Sequence, residues 1–132
     1  MSKLSKRATN KLFIAESCFH RIADDDSFID DCCYNLQQSI ELSLKYLVEI
    51  HGEQYAENHD IRSNLNKLER MGIEVPCREK LRALASTLYS WETESRYRDD
   101  FVALTEDITD AFACARALAE FSAGLTSQEL IQ

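Results

Sequence analysis

Three glycines and one proline are spread over 132 residues, too little turn material for a many-stranded sheet. The apolar residues instead recur three and four apart. Leu4, Ala8, Leu12, Ala15, Phe19 and Ile22 mark one face of a first helix. The run Asp24, Asp25, Asp26 and Ser27 interrupts it, with side chains that can accept hydrogen bonds from the amides opening the next helix and charge that suits its positive end. A second stripe, Ile29, Cys32, Cys33, Leu36, Ile40, Leu44, Leu47 and Val48, is widened by Phe28, Leu42, Tyr46 and Ile50 and stops at Gly52. An arc that wide predicts a central helix with several neighbours. Asp60 can cap a short helix carrying Ile61, Leu65 and Leu68 and ended by Gly72. After Pro76, residues 78–95 align Leu81, Leu84, Ala85, Leu88 and Trp91, and a last helix runs from about Thr105 to Gly124. The fold class expected is all-α: one domain over residues 1–132, an up-and-down antiparallel bundle of four long helices and one short one.

Charge narrows the function classes. The formal charge is −8, but residues 1–23 hold five basic side chains against one acidic, while residues 24–76 hold four against twelve. An acidic chain is a poor general coat for phosphate backbones, although a local basic patch remains open. The basic start has neither the apolar core of a signal peptide nor the pattern of a transit peptide, and no run approaches the 18 or so apolar residues of a membrane span. Five cysteines, at positions 18, 32, 33, 77 and 114, form no C-x-x-C pair and fit no disulfide framework. Cys32, Cys33 and Cys114 fall in apolar stripes, as small buried hydrophobes do. A reducing cytoplasm is the compartment expected.

No phosphate-cradling glycine loop or serine hydrolase elbow is present, and the three histidines show no metal-ligand spacing. Glu16 and His20 are one turn apart, the spacing of an ordinary surface contact. No cofactor and no metal are expected. Two polar sets remain. Gln37, Gln38, Glu41 and Lys45 border or interrupt the second stripe, for which a solvated helix edge is the simplest account. Arg96, Tyr97, Arg98, Asp99 and Asp100 lie between the last two helices, where the arginines could grip a phosphate, flank a stacked base or pair with neighbouring carboxylates. Physical chemistry alone leaves both choices open.

The stretch C-Y-N-L-Q-Q-S-I-E-L-S-L-K-Y-L-V-E-I-H-G, from Cys33 to Gly52, resembles the second helix of HEPN domains (higher eukaryotes and prokaryotes nucleotide-binding). His59-Asp60-Ile61 is similar to the family's H-D-L, and Ser95-Arg96-Tyr97 to the R-Y before its last helix, so the likeness spans about residues 5–123. The resemblance implies a bundle that commonly dimerises and often works beside a small nucleotidyltransferase. Many relatives are metal-independent ribonucleases that use an arginine followed after four to six residues by a histidine. No arginine here has a histidine at that distance, and the tyrosine that accepts nucleotidyl groups in some relatives is missing with it.

The expectation is therefore a non-catalytic binding module and homodimer in the cytoplasm, with no membrane association. Its partners would be a nucleotide, RNA or a nucleotidyltransferase, as in a toxin-antitoxin pair. Arg96 and Arg98 would contact phosphate or acidic groups, Tyr97 would stack or support its loop, Lys45, Glu41 and Gln38 would line a polar edge, and His59 would complete the site. The competing reading is a divergent ribonuclease that recruits His59 or His51 as its acid or base. A helical interaction domain whose polar residues only solubilise it is the third.

Overall fold

The computed structural model describes residues 3–95 and 97–131. Five helices follow one another: α1 (Lys3–His20), α2 (Phe28–Ile50), α3 (Ile61–Arg70), α4 (Arg78–Glu94) and α5 (Thr105–Ile131), with no strand among the described residues. The helical bundle anticipated from the apolar spacing is what forms. Helix α2 is central, packing against α1, α3, α4 and α5. Its Leu36, Ile40, Leu44 and Leu47 are fully buried in a core cluster that draws residues from all five helices. Trp91 of α4 and Leu118 of α5 belong to the same cluster. No described helix is long and apolar enough to cross a membrane.

The helix ends show how local chemistry sets the loops. Before α2, the Asp25 carboxylate accepts the Ser27 amide at 2.9 Å, while the Ser27 hydroxyl makes no capping bond. Helices α2 and α3 close in the same way. The Gly52 amide donates to Glu49 O at 3.0 Å and the Glu53 amide to Val48 O at 3.2 Å; Gly72 donates to Glu69 O and Ile73 to Leu68 O, both at 3.0 Å. Both glycines take positive φ, 89° and 76°, as this closure requires.

Gly124 breaks the expectation that glycine ends the last helix. Helix α5 runs on to Ile131, and Leu125 continues its stripe against the core. A glycine stops a helix only where the chain turns left-handed, and Gly124 is absent from the positive-φ residues. The two positions should therefore respond oppositely to alanine, since an added Cβ meets no atom within 4 Å at either. Gly72→Ala should destabilise by about 1 kcal/mol through backbone strain, and Gly124→Ala should stabilise by about 0.5–1 kcal/mol. Urea unfolding of the two variants checks both signs.

Helix α3 carries the expected cap: the Asp60 carboxylate accepts the Arg62 amide at 3.0 Å and also pairs with the Arg62 guanidinium. The side-chain hydrogen bond from Arg62 holds the Asp60 carboxyl below its ordinary range. With the folded pKa depressed, this stabilisation is present above the unfolded value near pH 4 and is lost as pH falls through the folded one. Asp60→Ala should cost about 1 kcal/mol at pH 7 and progressively less as pH falls below about 4, measured as the gap in urea midpoint between the two proteins.

Candidate functional site

The polar residues of α2 do not form a solvated edge. Gln37, Gln38, Glu41 and Lys45 are all buried, between 0% and 8% exposed. They survive there because each finds a partner, as buried polar groups must. Glu41 is the hub. One carboxylate oxygen accepts from the Gln37 amide at 3.5 Å and meets His59 Nδ1 at 2.7 Å, and the other faces Lys45 Nζ at 3.6 Å. The Lys45 ammonium also sits over the Tyr55 ring, 5.5 Å from its centre.

A second buried carboxylate comes from α4. Gln38 Nε2 donates to Glu92 Oε2 at 2.6 Å and to Gln37 Oε1 at 3.0 Å, and Glu92 Oε1 lies 3.9 Å from His59 Nε2. The half-exposed His59 imidazole is thus held between two carboxylates from different helices.

The loop that carries His59 is fixed from beneath. Gln37 Nε2 donates to His59 O at 3.3 Å, and the buried Asn64 amide brackets Ala56, accepting from its N–H at 2.9 Å and donating to its carbonyl at 3.1 Å. The Asp60 amide donates to Asn58 Oδ1 at 3.0 Å. These bonds place His59 at the edge of a surface cleft of about 520 Å³ lined by Asn58, His59, Asp60, Tyr89, Glu92, Thr93 and Tyr97. Tyr89 and Tyr97 are 44% and 73% exposed and give the cleft its aromatic walls.

The sequence-predicted residues divide accordingly. His59 and Tyr97 come together in the cleft. Gln38, Glu41 and Lys45 lie beneath it, touching Glu92, His59 and one another rather than the cleft's space. Arg98 is spent within its own segment: Nε and Nη2 each donate to Asp100 at 3.1 Å and Nη1 to Glu94 at 3.4 Å. Those bonds hold the Asp100 carboxyl below the usual carboxylate range. Of the three uses left open for this arginine, ion pairing is the one taken. Arg96 lies outside the described residues. His51 stays at the end of its own helix, with Nδ1 2.7 Å from Leu47 O, and Glu16 reaches Arg116 on α5 at 3.4 Å.

Sequence reasoning set Glu92 on the polar side of its helix as a partner for the arginine segment, whereas it is buried, and passed over Tyr89, Asn58 and Asn64. Two of them carried a signal. Glu92 stands one turn beyond Leu88 and Asn64 three residues beyond Ile61, on the buried faces of their helices. A polar residue in phase with a core stripe needs a buried partner, which is the inference that was available. Among the described residues, no group of three or more histidine, cysteine or acidic side chains could hold a metal ion.

The cleft offers aromatic faces, an imidazole oriented by a buried carboxylate, and hydrogen-bonding groups of both polarities. The family model for the HEPN domain matches residues 1–125 of the chain. No curated protein and no solved structure matches it.

Proposed function

Because the chain belongs to the HEPN domain family, we propose that it is a binding module without catalytic residues, holding the base of a nucleotide or single-stranded RNA in the cleft beside His59. The observation that carries this reading is the pairing of two exposed tyrosine rings with Asn58, His59 and Glu92 in one cleft. Unstacked bases are held by aromatic faces and by hydrogen bonds to their edges. Among the described residues the phosphate finds less to hold it, since Arg98 is already neutralised by Asp100 and Glu94 and two carboxylates line the cleft. Binding should therefore depend weakly on salt.

The segment beside the cleft exposes Tyr97, Val102 and Leu104, the last two at 80% and 64%, and this is the edge that a nucleotidyltransferase partner would cover. A second copy would cover Phe13 and Ile14 on the outer side of α1, making the homodimer. Light scattering at high micromolar concentration should give twice the 15.2 kDa monomer mass, and a monomer mass would remove the dimer from this proposal.

One observation favours a second reading. Glu41 engages His59 Nδ1 at 2.7 Å and leaves Nε2 at the cleft, the arrangement of a general base in a divergent metal-independent ribonuclease. Binding is the stronger reading because, among the described residues, Lys45 is buried against Glu41 and Arg98 is paired with Asp100 and Glu94, so neither is placed to stabilise the charge developing on a phosphorane. Calorimetric titration with ATP, GTP and a short RNA, run beside an RNA cleavage assay, separates the two. Binding without cleavage is expected, and cleavage lost in His59→Ala would put the ribonuclease in its place.

A further inference from the structure

Several polar side chains that line the cleft already have partners. Asn58 donates from Nδ2 to the Ser63 hydroxyl at 3.0 Å and accepts the Asp60 amide at Oδ1. Both Asp60 oxygens hold Arg62, and the Thr93 hydroxyl donates back to Tyr89 O at 3.2 Å. Glu92 differs. Its side chain is 10% exposed, and Oε2 accepts from Gln38 Nε2 at 2.6 Å. Among the described residues, Oε1 meets only His59 Nε2, at 3.9 Å, which is beyond hydrogen-bond reach. A carboxylate nine-tenths buried, with one oxygen unsatisfied in the wall of a cleft, bears a desolvation cost that a ligand donor would relieve.

The rest of the network holds that carboxylate in place. Gln38 Nε2 uses both of its hydrogens, one on Glu92 Oε2 and one on Gln37 Oε1, so it has none left for Oε1. Gln37 is tied in turn to Glu41 and to the carbonyl of His59. Turning the Glu92 carboxylate would therefore break a chain of bonds that crosses from α4 to α2 and on to the His59 loop. Tyr89 stands three residues before Glu92 on α4, which puts an exposed ring and the buried carboxylate in the same cleft.

We infer that Glu92 is the specificity-determining residue of this cleft and that the base it selects is guanine, an inference that rests on the base-binding reading above. A carboxylate accepts hydrogen bonds and donates none, so it chooses among bases by their donors. On its Watson–Crick edge guanine sets two donors side by side, N1–H and the N2 amino group. Adenine and cytosine set a single amino group beside a bare ring nitrogen, and uracil sets one N–H between two carbonyls. Guanine gives one hydrogen to Oε1 and the neighbouring one to the second lone pair of Oε2, beside Gln38; bonds to an ionised acceptor are the strong ones. Each other base brings a lone pair up against the carboxylate, and that repulsion is what rejects it.

The test is calorimetric titration of the full chain with guanosine, adenosine, N1-methylguanosine and inosine, which lacks the N2 amino group. Guanosine should bind about ten- to a hundredfold tighter than adenosine or N1-methylguanosine, with inosine between. Glu92→Gln keeps the shape and puts a donor in place of one acceptor. It should weaken guanosine by about tenfold or more and leave adenosine within about twofold of the parent, with helicity unchanged. The comparison of nucleosides needs no variant, so it decides the matter even if Glu92→Gln does not fold. Adenosine, inosine or N1-methylguanosine binding as tightly as guanosine would overturn the role of Glu92 and leave the base-binding cleft standing, as would a folded Glu92→Gln with the parent's affinity for guanosine. No response to any of the four nucleosides would remove the base-binding reading, and this inference with it.

Discussion

Glu41→Ala should lower the stability of the folded chain by about 3 kcal/mol, the low end of what removing one partner of a buried ion pair costs. The loss has an identifiable source. Lys45, whose side chain is 9% exposed, keeps its charge and its contact with the Tyr55 ring but loses the carboxylate 3.6 Å away. His59 loses its Nδ1 partner as well, although its imidazole is 55% exposed and can turn to water, which keeps the cost at the lower bound. In thermal unfolding this corresponds to a drop of roughly 10 °C for a domain of this size. Glu41→Ala combined with Lys45→Met should regain more than half of the loss, because no unpaired buried charge remains. A change below about 0.5 kcal/mol for the single variant would mean that this edge of α2 is solvated.

The second large effect concerns ligand binding and leaves the fold alone. Each base-aromatic stack contributes about 1–3 kcal/mol, so Tyr97→Ala should weaken nucleotide binding about tenfold and the Tyr89→Ala, Tyr97→Ala double variant about a hundredfold. Both rings are exposed, and each single substitution should change the unfolding free energy by no more than about 0.5 kcal/mol. Tyr97→Phe should bind nearly as well as the parent, since the ring face is what the stack uses. Arg98→Ala should change affinity less than twofold, because its guanidinium is held by Asp100 and Glu94. Calorimetry on the variants reads all of these. Equal affinities for parent and double variant would move the ligand out of this cleft.

The helices were legible because their signal is repeated. The second stripe marks its helix at every turn, and the left-handed glycines after α2 and α3 close theirs through two hydrogen bonds each. Gly124 misled because a single residue type stands for a backbone conformation only where the chain adopts it. The site was half legible. Gln37, Gln38, Glu41 and Lys45 stood out as polar residues along an apolar stripe, and His59 through the family resemblance, but periodicity could not tell a solvated edge from a buried network. The difference lies in partners far away in sequence. Gln38 meets Glu92 across 54 positions and His59 meets Glu41 across 18, and one chain read alone carries no pairing information at such separations. The same limit applies to Arg98, whose neighbours in sequence held both its partners and its alternatives; geometry chose Asp100 and Glu94.

That the cleft between His59 and the two tyrosines recognises a base, and not a phosphate, is tested most directly by titrating the protein with adenosine, guanosine and ribose 5-phosphate in parallel at low and at physiological salt. The account predicts saturable heat from at least one nucleoside, little changed by salt and lost in the double tyrosine variant, with none from ribose 5-phosphate. Salt-sensitive binding of ribose 5-phosphate with no response to either nucleoside would contradict it.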